Sequence, residues 1–161
     1  MKKYLVLALC LLILTVGHAQ NYTEYFADKT LRVDYIFTGD ASCQNVCLDE
    51  LSVLPSWAGR PHHLAKLPLQ GNGQIIMKDL ESGKTVYTTS FSSLFQEWLE
   101  TDEAKVVSKG FENTFLLPYP LRPVEIEITL LSPRKEVRTC LKHTVRPDDV
   151  LIHQKGTAHI T

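Results

Sequence analysis

Val124-Glu-Ile-Glu-Ile-Thr-Leu-Leu131 is the stretch that decides the fold class. Successive side chains of an extended strand point to opposite sides. Val124, Ile126, Ile128 and Leu130 therefore share one face, and Glu125, Glu127 and Thr129 share the other. A helix over the same residues would scatter both sets around its surface. The segment reads as a strand with one dry face and one wet face, the pattern of an antiparallel sheet. Ser132-Pro-Arg-Lys135 turns the chain back. Glu136 to Val145 then returns with Val137, Leu141 and Val145 on the core face and Arg138 and Lys142 opposite. Glu125 and Glu127 meet Arg138 or Lys142 across this pair. Exposed ion pairs of that kind contribute less than about 1 kcal/mol each, so they set register more than stability.

Moving toward the N-terminus, Leu31-Arg-Val-Asp-Tyr-Ile-Phe-Thr38 alternates in the same way, with Leu31, Val33, Tyr35 and Phe37 on one face, and ends at a Gly39-Asp40 turn. Val46 and Leu48 alternate, as do Leu51 and Val53. The phase slips at Asp49-Glu50, which predicts a β-bulge or short break, and Pro55 ends the run. Ser56 to Gln70 reads as a surface loop with Trp57 pinned to the core. Gln74–Asp79 and Thr85–Ser90, joined by Leu80–Lys84, form a hairpin in which Gly83 supplies a positive φ.

Ser90 to Ala104 departs from this pattern. Ser93 and Gln96 are spaced as a capping box. Leu94, Phe95, Trp98 and Leu99 fall on one helical face, with Glu97 and Glu100 outward. A helix this short does not persist alone, so it must pack across an open end or edge of a sheet. Phe111 to Leu117 is the next strand, stopped by Pro118-Tyr-Pro120. Val150-Leu-Ile-His153 is a last short strand. The whole predicts an all-β antiparallel sandwich of about seven or eight strands with one short helix. That domain runs over 20–153, followed by a polar tail over 154–161.

Residues 1–19 read as a signal peptide. Lys2 and Lys3 precede an apolar run from Tyr4 to Val16, and Gly17-His18-Ala19 supplies small residues before Gln20. The run falls short of the ~20 residues that span a bilayer. Cys10 follows Leu9, which is too bulky for a lipobox. Cleavage takes the formal charge from −1 to −3 by removing the two lysines. The expectation is an exported chain, periplasmic or extracellular, with no membrane span after cleavage. Without a basic excess or a polybasic stripe, no nucleic-acid partner is expected.

Of the chemistry-bearing residues, Cys43, Cys47 and Cys140 remain after cleavage. A C-x₃-C spacing in extended chain separates two Cα atoms by roughly 13 Å, too far for a disulfide, although a turn would close it. Buried, unbridged thiols are the expectation, and an odd count leaves at least one free or paired between molecules. His62-His63 point apart on a loop, His153 and His159 lie near the C-terminus, and His143 shares an apolar face with Leu141 and Val145 as a core-edge histidine. Asp148-Asp149 and Asp49-Glu50 are acidic turns, read as solvated rather than as calcium ligands. No G-x-S-x-G elbow, phosphate-cradling loop or H-E-x-x-H zinc helix occurs. Catalytic, cofactor-binding and metal-site residues are therefore all predicted as none, and so are cofactors. Asn21-Tyr-Thr23 fits a glycosylation sequon just past the cleavage site.

Five blocks carry a family resemblance: Tyr25–Gly39, Leu48–Arg60, Leu67–Gly73, Ser90–Ala104 and Thr144–Asp149. Together they resemble the N-terminal, non-catalytic domain of exported bacterial zinc metallopeptidases of the IgA-peptidase type. The resemblance implies a β-sandwich that precedes a zincin catalytic domain, and no catalytic residue of that domain has a counterpart here. It implies a non-enzymatic accessory or binding module whose partner is a peptidase catalytic domain or an extracellular protein or glycan. A fragment of a longer secreted metallopeptidase is the enzyme-class alternative. Carbohydrate binding by Trp57, Tyr119 or Tyr22 is the third.

Overall fold

The computed structural model describes residues 21–67 and 70–155. Residues 1–19, read above as a signal peptide and including Cys10, lie outside them, as do Pro68 and His159. Two four-stranded sheets share one core. The first has the order β5-β1-β2-β8, from β1 (Phe26–Gly39), β2 (Gln44–Pro55), β5 (Lys109–Pro120) and β8 (Ile152–Gln154). The second has the order β4-β3-β6-β7, from β3 (Gly73–Asp79), β4 (Thr85–Phe91), β6 (Val124–Leu131) and β7 (Val137–Val145). Among the described residues two short α-helices, α1 (Tyr22–Tyr25) and α2 (Leu94–Trp98), and a 3₁₀ turn, Glu103–Lys105, complete it. Leu31, Val33, Tyr35 and Phe37 of the first sheet face Ile75, Met77, Ile126 and Ile128 of the second, all fully buried. Each such side chain contributes about 1.5–3 kcal/mol by leaving water.

The expected bulge lies in β2. Asp34 pairs with Glu50 and Tyr35 with Leu48, leaving Asp49 as the extra residue. Gly83 has a φ of +68°, as the hairpin requires. Lys142 crosses to Glu127 at 2.9 Å and to Glu125 at 4.0 Å.

Other expectations are corrected. Pro118 and Pro120 do not stop β5 but lie within it. Among the described residues β5 pairs only with β1, so it is an edge strand, where a missing ladder donor is tolerated. β7 holds a further register slip: Leu130 pairs with Thr139 and Leu131 with Val137, leaving Arg138 out of register. The slip throws Val137 out to 66% exposure and turns Arg138 to Glu100, 3.5 Å away, rather than to a β6 glutamate. The last strand begins at Ile152, not Val150, and runs parallel to β2. Val150 and Leu151 precede it and are exposed.

The helix also differs. Ser93 Oγ accepts from the Gln96 amide at 3.3 Å, the forward half of the capping box. The reverse half is absent. The Gln96 carbonyl oxygen instead accepts from Ser93 Oγ at 2.9 Å, and its amide nitrogen donates to the carbonyls of Leu131 and Asn72. Gln96 is thus buried and Leu94 is exposed. A single turn has no continuous stripe, and the carbonyls at the adjoining sheet end need donors more than they need a leucine. Phe95 still fills the expected place, with its ring 6.1 Å from Phe37 and 5.5 Å from Phe111, so α2 closes this end of the sandwich.

Candidate functional site

The nearest approach to a catalytic grouping lies on the outer face of the first sheet. Ser52 and His153 are register partners on β2 and β8. His153 Nδ1 stands 3.5 Å from a Glu50 carboxylate oxygen. Serine, histidine and carboxylate are the residue types of acyl transfer, but that chemistry needs an accessible hydroxyl hydrogen-bonded to the imidazole. Ser52 is fully buried and its Oγ has no hydrogen-bond partner. The Glu50 oxygen is also held by Lys155 Nζ at 2.9 Å. Beside them Arg32 Nε donates to Asp34 at 3.0 Å, and Thr114 donates to the same carboxylate. Burial alone would raise the Asp34 carboxyl; the bonds from Thr114 and Arg32 hold it below its ordinary value. This face is a network that ties β5, β1, β2 and β8 together.

His143 occupies the core edge that its spacing indicated. Its Nε2 lies 2.6 Å from the Tyr35 hydroxyl, bridging the two sheets. Burial pushes the imidazole down to about 4 and raises the Tyr35 phenol. Nδ1 is buried with no partner. Tyr35 is fully enclosed, so its hydroxyl is spent on the imidazole and is not open to a substrate, while His143 lies at the partly exposed rim.

A third group sits at the opposite end from α2. Asp79 ends β3 and is 2% exposed. One of its oxygens accepts from the Ser82 amide at 2.9 Å and hydroxyl at 2.6 Å. The other lies 3.9 Å from Arg122 Nε. The Ser82 bonds hold the carboxyl below its ordinary value against the effect of burial. Arg122 lies over the Tyr25 ring, 5.2 Å from its centroid. Asp79, Leu80, Glu81, Arg122, Pro123 and Arg146 line an open cavity of about 340 Å³. Its two acids and two arginines give no net charge to select a ligand of one sign.

The remaining candidates are dispersed. His62 and His63 are exposed in the 56–72 loop. Among the described residues no three His, Cys, Asp or Glu side chains are placed to hold one metal ion. Asp149 accepts from the Leu151 amide at 2.9 Å and shapes a turn. Cys43, Cys47 and Cys140 are unbridged but exposed, which corrects the expectation of burial. Cys43 lies in the β1–β2 turn, and Cys47 and Cys140 occupy outward strand positions. The three aromatic candidates are engaged internally. Tyr22 donates to the Ala27 carbonyl and Tyr119 to that of Pro147. Trp57 donates to the Arg60 carbonyl and meets Tyr87 edge-on.

Sequence reasoning missed Arg60. Its guanidinium donates to the carbonyls of His63, Lys66, Leu64 and Thr88 and lies over the Tyr87 ring at 5.2 Å. It gathers residues 60–66 and lays them along β4, where Thr88 N also bonds to the Leu64 carbonyl. Only its position between Gly59 and Pro61, in a loop with a buried leucine to anchor, hinted at that role.

The fold and these sites define a class: a β-sandwich module whose polar side chains are bound mainly to one another and to its own backbone. Residues 21–142 match the family described as Peptidase M64 N-terminus, and the chain belongs to that family, the N-terminal module of IgA-peptidase-type metallopeptidases. No curated protein matches the chain.

Proposed function

We propose that this chain is a non-enzymatic accessory module of a zinc metallopeptidase, working outside the cytoplasm by binding a peptidase catalytic domain or an extracellular protein. The observation that carries this reading is the match to an N-terminal peptidase family in a chain with no H-E-x-x-H helix. Zinc hydrolysis needs two histidines one helical turn apart and a glutamate base beside them, and none of the six histidines is followed by glutamate. Export is supported by the lysine-flanked apolar leader and the small residues before Gln20. The end of the sandwich that carries exposed Leu80 and Leu121 beside the Arg122 cavity suits a partner surface.

The test is a protease assay of the purified chain with added zinc on an unfolded protein substrate. Hydrolysis no faster than buffer is expected. Cleavage that a chelator abolishes would overturn the proposal.

A further inference from the structure

The first sheet is left incomplete along β2. On one side β2 pairs with β1 over its whole length, Gln44 to Pro55. On the other, β8 pairs with Leu51–Val53 alone. Among the described residues, 44–50 therefore have no ladder partner on this side and present an open edge. The Val46 amide shows which way that edge faces: it bonds to the side chain of its own neighbour, Asn45 Oδ1, at 3.0 Å instead of joining a ladder. By strand alternation Leu48 presents its backbone the same way. Leu48 is also 38% exposed although Val46 before it and Leu51 after it, on the same core side, are buried. Val150 and Leu151, just before β8, are 92% and 69% exposed. An unpaired edge flanked by exposed apolar side chains is a template for another strand.

We infer that this edge pairs with the same edge of a second copy, antiparallel about a twofold axis at Cys47. The register is self-complementary. Val46 meets Leu48 of the other copy on the core side, exchanging both backbone hydrogen bonds and covering the exposed leucine. Asn45 meets Glu50, with Asp49 as the extra residue of the bulge, so no carboxylate faces another. The other copy's turn residues Ala41 to Cys43 reach Val150 and Leu151. An interface of this kind is isologous and closes as a dimer. Cys47 faces Cys47 as a non-hydrogen-bonded pair, whose Cα atoms lie about 4.5 Å apart, within the range a disulfide spans. The sulfur is exposed in the single chain.

The experiment uses the chain from Asn21 onward, which contains every residue of both sheets. Sedimentation equilibrium is expected to show a reversible dimer. Cys47→Lys places two ammonium groups on the axis and is expected to raise the dissociation constant at least tenfold, and Cys47→Glu likewise. An equimolar mixture of the two variants is expected to recover the wild-type dimer, because each axis then carries one charge of each sign. In a Cys43→Ser, Cys140→Ser background, glutathione disulfide is expected to link two chains covalently. The two Cys47 thiols lose two protons and two electrons, and glutathione disulfide is reduced to two thiols. A wild-type monomer at all concentrations overturns the inference. So does a dimer that Cys47→Lys leaves intact, or a mixture of charge variants that stays monomeric, since either places any contact elsewhere.

Discussion

Acid should weaken this sandwich through one residue before it touches the carboxylates. His143 is held neutral between the sheets, with its titration pushed down to about 4 by burial, while in an unfolded chain it titrates near 6.5. A base whose folded pKa is depressed binds fewer protons folded than unfolded between those values, so stability falls as pH drops through that window. Above about 7 the term vanishes, and below about 4 it saturates. The full difference of about 2.5 units corresponds to roughly 3 kcal/mol. At pH 5 about 2 kcal/mol of it has been lost, or about 1–2 kcal/mol allowing for the ring's partial exposure. The carboxylates of Asp34, Asp79 and Glu127 are held low by their partners. Their contribution is present above the ordinary carboxylate range and is lost only below it, so it does not overlap the upper part of the window.

The assay is urea unfolding followed by tryptophan fluorescence at pH 7.5, 6.5, 5.5 and 5.0. The wild type is expected to lose about 1–2 kcal/mol across the series. A Tyr35→Phe, His143→Leu double variant replaces both members of the 2.6 Å bond with apolar groups, leaves no orphaned hydroxyl, and is expected to show a nearly flat profile. A flat wild-type profile, or a double variant with the same acid slope, would refute the reasoning.

Three further outcomes are expected. Arg60→Met strips four loop and strand carbonyls of their donor and should cost about 2–4 kcal/mol, with faster proteolysis inside 56–72 as its marker; undiminished protease resistance would show that the loop is held otherwise. Gly39→Ala should cost about 3 kcal/mol or more, because φ is +134° and a Cβ would stand 2.0 Å from the Cys43 carbonyl oxygen; a melting temperature within 2–3 °C of wild type, somewhat under about 1 kcal/mol, would contradict this. All three thiols should react with a disulfide reagent without denaturant in the chain from Asn21 onward, since all are exposed, and a thiol that reacts only after unfolding would reverse that placement.

The sheet faces were legible because a period of two is written directly into residues such as Leu31, Val33, Tyr35 and Phe37. Even the bulge at Asp49 showed as a slipped phase. What stayed hidden depends on partners far along the chain. Pro118 and Pro120 signal a stop unless β5 is known to be an edge. Val137 continues an apolar alternation that the register slip at Leu130/Leu131 breaks. Gln96 reads as a cap by its spacing to Ser93, yet its donors go to Leu131 and Asn72, 35 and 24 residues away. Arg60 gave no periodic signal, since its role is to bind backbone rather than to lie on a face. The direction of β8 was equally unreadable, because three residues carry no mark of parallel or antiparallel pairing.

Residue types alone say little about chemistry in this chain, and Ser52 shows why. It stands beside His153, and that imidazole touches Glu50, so the three types needed for nucleophilic catalysis lie within one corner of one sheet. Access and hydrogen bonding decide against them: the hydroxyl is sealed and unpartnered, and Lys155 shares the carboxylate. Tyr35 and His143 repeat the lesson at the core edge, where a 2.6 Å bond between two titratable groups joins the sheets and the phenol is enclosed. The β2 edge over residues 44–50 is a deficit of another kind, because among the described residues it lacks a ladder partner for its backbone. A backbone deficit is met by another strand, so the surface to test first is that edge.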